Sequence, residues 1–112
     1  MTARECPECG ADLAGAHAYR EFCGDACKRK FHNRRQLRGA QLYDVFMTHR
    51  CERALGEELH CLTMANRLAA QWRDEDAQER AGRKSWLPVR RLLELNPWLK
   101  AVALGQVKIG RM

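Results

Sequence analysis

Residues 22–35 read FCGDACKRKFHNRR: two cysteines, Cys23 and Cys27, followed by six basic or imidazole side chains. Gly24 and Asp25 between the cysteines offer a helix start, with Asp25 placed to act as the N-cap. Cys27 then falls in the first helical turn. There the helix dipole and the free backbone amides favour a thiolate.

Working back toward the N-terminus, a second close pair appears at Cys6 and Cys9 in the run CPECG. Pro7 fixes one backbone angle and Gly10 permits the positive φ that turns amides toward a sulfur. Two short-spaced pairs joined by a loop suit one tetrahedral ion, because each pair converges on it and the loop folds the second pair back. Six cysteines in 112 residues would also suit disulfides in a secreted chain. The beginning, MTARECPECG, is charged and has no apolar leader core, so a reducing, cytoplasmic setting is the expectation, with Zn2+ on Cys6, Cys9, Cys23 and Cys27 preferred over disulfides. His17 and His32 lack ligand spacing and read as solvated or locally hydrogen-bonded. Cys51 and Cys61 stand alone within helical patterns and read as small core residues.

The runs CPECGADL and REFCGDACKRKFHNRR resemble bacterial treble-clef zinc fingers, among them the small zinc proteins of the DNA gyrase inhibitor family. The resemblance covers about residues 4–35. It implies a zinc knuckle, a short β-hairpin and a helix carrying the last two ligands, with Cys6, Cys9, Cys23 and Cys27 matching position by position. Gly24 stands where that family carries serine, the loop between the pairs differs in length, and residues 40–112 match nothing in it. The implied fold is therefore firmer than any gyrase-directed activity, since one scaffold hosts many functions.

Past the cysteines, no helix breaker occurs from Asp25 to Gly39. Phe31 and Leu37 are expected to pack inward, leaving Lys28, Arg29, Lys30, Arg34, Arg35 and Arg38 spread over the rest, with no acid from residue 28 to residue 38. Lysine offers point charges to phosphate, arginine offers bidentate donors, and Asn33 and Gln36 offer amides for base edges. Contact with DNA or RNA through Lys28, Arg29, Lys30, Asn33, Arg34, Arg35 and Arg38 is preferred over a plain solvated face. A further reading pairs these arginines with the acidic run Asp74, Glu75, Asp76 and Glu79, within the chain or in a second copy.

Residues 40–55 place Leu42, Val45, Phe46 and His49 on one helical stripe, and residues 57–80 do the same with Leu59, Leu62, Ala65, Ala69 and Trp72. Gly56 between them reads as the turn of an antiparallel hairpin. After a joint at 81–84, SWLPVRRLLELNPWLKAVALG suggests two short helices, with Pro88 in the first turn of one and Asn96 capping the other. Trp86 and Trp98 are expected to pack on the hairpin, Arg90 and Arg91 form a weaker basic patch, and QVKIGRM alternates briefly like a strand.

The expected architecture is thus small and mainly α: a treble-clef finger at 1–38, then a helical region at 39–112 with a hairpin at about 40–80 and C-terminal helices at about 86–104. No apolar stretch approaches the roughly 20 residues a bilayer requires, so no membrane is expected. Four cysteines close a metal's coordination shell, and no phosphate-cradling loop or paired nucleophile and base is present, so an enzyme is not expected. The preferred function is a zinc-stabilised DNA-binding regulator whose helical remainder stabilises or dimerises it; the alternative is an adaptor or inhibitor whose basic helix grips an acidic protein such as a DNA-processing enzyme.

Overall fold

The computed structural model describes residues 4–105, and the expected strand at 106–112 lies outside them. Five helices follow the N-terminal loops: α1 (Asp25–Cys51), α2 (Arg53–Glu58), α3 (Cys61–Glu79), α4 (Val89–Leu95) and α5 (Trp98–Ala103). The molecule is mainly helical, as the periodicity requires. In place of the expected β-hairpin, the described finger residues form one antiparallel bridge, Glu5 to Asp12.

The break expected at Gly39 is absent, and α1 runs 27 residues without interruption, roughly 40 Å at 1.5 Å per residue. Glycine inside a helix costs only about 1 kcal/mol relative to alanine. Good helix formers on both sides, and anchoring of Arg34 and Arg38 by tertiary contacts, outweigh that cost. At its start, Gly24 rather than Asp25 is the N-cap, with an extended backbone and no side-chain cap. Asp25 sits one residue inside, where its charge still complements the helix dipole.

The core lies at the finger end. Cys6, Phe22 and Phe31 are buried together, with Cys27 and Leu87 packed against them, and the Phe22 and Phe31 rings meet edge-on with centroids 5.3 Å apart. Burial of Phe31 contributes about 2–3 kcal/mol and fixes which side of α1 faces the cysteines. Leu37 does not join it: that side chain is 65% exposed, because the inward stripe passes through Arg34 and Arg38.

The second half of α1 packs against α3. Arg38, early in the pair, meets Asp76 near the end of α3, so the two helices run antiparallel as expected. Gly56 is not the turn but a buried residue within α2. A Cβ there would lie 3.0 Å from the His49 Cα and 3.2 Å from the Thr48 carbonyl oxygen, so glycine is what lets α2 lie against the α1 backbone. The chain leaves α1 at Glu52, with φ −129° and ψ 66°, and turns again at His60, whose φ is +57°. Cys61 is buried there as expected, whereas Cys51 is exposed.

After α3 the chain turns through Ala81 and Gly82, both at positive φ, and returns beside the finger. Pro88 precedes α4, and Asn96 closes α4, its side-chain amide donating to the Leu92 carbonyl, rather than opening α5. Trp86 and Trp98 remain about half exposed, so the expected packing on the hairpin is incomplete. Among the described residues no helix is long and apolar enough to cross a membrane.

Candidate metal centre

The four expected ligands come together. The Sγ atoms of Cys6, Cys9, Cys23 and Cys27 all lie within 4.8 Å of one another, with Cys9–Cys23 and Cys23–Cys27 separations of 3.5 Å. Four sulfurs at metal–sulfur distances of about 2.3 Å around a tetrahedral ion stand about 3.8 Å apart, so the set fits such an ion with little adjustment. The separations are far longer than a disulfide bond. These residues can therefore hold a metal.

Local backbone explains the convergence. The Gly10 amide donates to the Cys6 carbonyl at 2.8 Å and the Cys6 amide to the Ala11 carbonyl at 2.8 Å, closing a tight knuckle that requires φ +79° at Gly10. Arg83 covers this turn, donating from Nε and Nη2 to the Glu8 carbonyl. Arg4 ties the long loop by donating to the His17 and Arg20 carbonyls, and Arg20 donates to the Cys23 carbonyl at 3.0 Å.

The thiols differ in their hold on protons. Burial raises the Cys6 pKa, but amides of Cys9, Cys23 and Glu8 aimed at its sulfur prevail and hold it at about 6. The hydrogen bond shared with Cys23, then burial, pushes Cys27 up to about 12. Cys23 is lowered by its contact with Cys27, yet the contact with Cys9 and desolvation leave it above its ordinary value. A cation would reverse that balance, since it favours the thiolate at every position.

His17 and His32 lie outside the cluster. Nδ1 of His17 accepts from the Tyr19 amide, and His32 packs on Phe22 and Phe31 with Nδ1 3.0 Å from Arg35 Nη1. Both are locally bonded, as their spacing suggests.

The basic side chains of α1 divide into two groups. Arg34 donates to Ser85 Oγ at 2.8 Å and pairs with the Glu8 carboxylate, while Arg38 pairs with Glu75 at 3.0 Å and Asp76 at 3.1 Å. Arg38 also lies over the Trp72 ring. The pairing with the acidic run is therefore real for Arg38, and Arg34 finds an acid in the knuckle instead. Lys28, Arg29, Lys30 and Asn33 are exposed and Arg35 half-buried; among the described residues these four cations form no ion pair. In the second basic patch, Arg91 pairs with Glu21 and Glu94, and Arg90 is exposed.

Composition and spacing did not single out Glu8, Arg80, Arg83 or Ser85 as parts of this assembly. Asp76, already noticeable in an acidic run, is buried and accepts from Arg38, Arg80 and both the amide and hydroxyl of Ser85. No protein-family model, curated protein or solved structure matches this chain.

Proposed function

We propose that the chain is a zinc-stabilised, nucleic-acid-binding regulatory protein that lies on the phosphates of duplex DNA through the outer face of α1. Zinc is the ion assigned to Cys6, Cys9, Cys23 and Cys27, because four thiols at tetrahedral spacing are its typical structural set. With all four positions filled by protein, such a site has no place for a substrate, so its role here is to organise and not to catalyse. The treble-clef resemblance supports the same assignment: the ligands at the head of α1 fix the helix against the finger.

The observation that carries the reading is the division of charge along α1. Arg34 and Arg38 are neutralised inward, which leaves Lys28, Arg29, Lys30 and Arg35 as the cations able to meet a polyanion, with Asn33 exposed beside them. These charges cluster in the first turns, next to the metal site that positions them. A sequence-independent phosphate interaction needs such an unpaired field.

Binding of zinc-loaded protein to labelled random duplex DNA, followed by fluorescence anisotropy across a salt series, tests this. Affinity at low salt that falls steeply as salt rises is expected. Absence of binding at low salt overturns the reading and turns attention to an adaptor that grips an acidic protein with the same helix.

A further inference from the structure

Two recesses lie beside the head of α1 and share one wall. The first, about 630 Å3, is lined by Lys28, His32 and Arg35 of α1 and by His17, Tyr19 and Arg20 of the long loop. The second, about 990 Å3, lies between the N-terminal loops and residues 81–91, and its lining includes Arg4, Leu13, Phe31, Lys84 and Trp86. Arg20, Glu21, Phe22, Leu87 and Arg91 line both, so the second recess continues where the first ends.

Their charge is positive and largely uncompensated. Seven cations and three carboxylates, Glu5, Glu21 and Asp25, line the pair. Among the described residues Glu21 alone of the three is in an ion pair, with Arg91. Arg4, Arg20 and Arg83 donate to backbone carbonyls, which fixes each guanidinium without neutralising it. Lys28, Arg35 and Lys84 meet no carboxylate among the described residues. Each recess also carries an exposed aromatic ring. Tyr19 is 86% exposed, with its ring centroid 5.3 Å from that of His17. Trp86 is 52% exposed, and Lys84 Nζ stands 5.7 Å from its centroid.

We infer that the two recesses hold an unpaired nucleic-acid strand, with its phosphates on Lys28, Arg35 and Lys84 and its bases stacked on Tyr19 and Trp86. This rests on the reading of α1 as a nucleic-acid face and names what that face takes beyond a duplex: the single strand of a tail or frayed end. A phosphate field alone has no use for the two rings. Binding of single strands combines a positive groove along the backbone with aromatic platforms for successive bases. A paired duplex hides its base faces, and an acidic peptide would meet the cations while offering the rings no planar partner. Cations and rings alternate here along one continuous path, which is what a strand of several nucleotides requires.

Fluorescence anisotropy of the full zinc-loaded chain at one fixed salt concentration tests the inference with three probes: a blunt random duplex, the same duplex with an oligothymidine tail of about 10 nucleotides, and that oligothymidine alone. The tailed duplex is expected to bind about tenfold more tightly than the blunt one. Tyr19→Ala should remove most of that gain while leaving blunt-duplex affinity, helical circular dichroism and zinc content unchanged, and Tyr19→Phe, which keeps the ring, should retain it. Should Tyr19→Ala lose zinc or helix, Trp86→Ala carries the test with the same expected loss. Equal binding of blunt and tailed duplex, or a tail preference that survives both alanine variants, overturns the inference and leaves the duplex reading standing. Tyr19-dependent binding of oligothymidine without binding of the blunt duplex supports the inference and overturns the duplex reading. No binding of any of the three, with poly-L-glutamate bound instead, overturns both in favour of an acidic protein partner.

Discussion

Arg38 on α1 donates to the buried carboxylate of Asp76 on α3 at 3.1 Å, so the basic helix is fastened to the hairpin by one of its own positive charges. Asp76 also accepts from Arg80 and twice from Ser85, and Ser85 in turn accepts from Arg34. One carboxylate therefore joins α1, α3 and the returning segment. Asp76→Asn leaves two guanidinium groups facing an uncharged amide, and breaking a buried ion pair in this way costs about 3 kcal/mol. Urea unfolding of the zinc-loaded protein is expected to show that loss with little change in slope against denaturant.

The same carboxylate sets an acid dependence. Burial raises its pKa, but hydrogen bonds from Arg80, Ser85 and Arg38 prevail and hold it below the usual range; Glu8 is lowered likewise, first by its hydrogen bond from Arg34. A carboxyl whose folded pKa is depressed contributes stability above its unfolded value, about 4, and loses it as pH falls through the lower folded value. Stability is thus expected to decline below about pH 4, with a shallower decline in Asp76→Asn. An unchanged acid limb in that variant would show that other carboxyls dominate.

Metal uptake should release protons. Cys27 is pushed up to about 12 and Cys23 lies above its ordinary value, so both enter protonated at pH 7 and at least two protons, one from each, must leave when all four sulfurs bind zinc. Metal affinity therefore rises with pH through neutrality. Calorimetric zinc titrations in buffers of differing ionisation enthalpy are expected to return that proton count.

Chelation is expected to release the knuckle and loop while sparing the hairpin. Amide hydrogen exchange should accelerate across residues 4–24, whose order rests on the cysteines and a small core, and stay slow where α1 packs on α3. Arg34→Ala, which frees Glu8 between two of the ligands, should lower zinc affinity about tenfold, as loss of an outer partner of a metal site commonly does.

At Gly56 a methyl group would need to enter a 3.0 Å gap to the α1 backbone. Alanine gains about 1 kcal/mol of helix propensity, but the neighbour is backbone and cannot rotate aside. Gly56→Ala is therefore expected to be net destabilising by about 1–2 kcal/mol, measured as a lowered Tm.

Much of this arrangement is legible before folding. Two close cysteine pairs announce their convergence, because spacing alone limits where four sulfurs can go, and the 3.6-residue stripes announce the hairpin. Other features depend on residues distant in sequence. The run from Lys28 to Arg38 looks uniform, yet Arg34 and Arg38 are turned inward by Glu8, Ser85 and Asp76, up to 51 positions away. Gly39 and Gly56 look like helix ends, but the first is carried by the tertiary anchors around it and the second by close backbone approach. Trp86 and Trp98 look like core, yet both stay about half exposed, because apolarity alone does not say which surface a side chain will meet.

The division of charge on α1 is tested by comparing the salt dependence of duplex binding between the parent protein and Lys28→Ala/Arg29→Ala/Lys30→Ala, both zinc-loaded. Each phosphate contact contributes about 0.9 to the slope of log affinity against log salt. The expected result is a slope shallower by about 2.7 in the variant, with helical content and zinc stoichiometry unchanged. Equal slopes for the two proteins would contradict the placement of DNA on the outer face of α1.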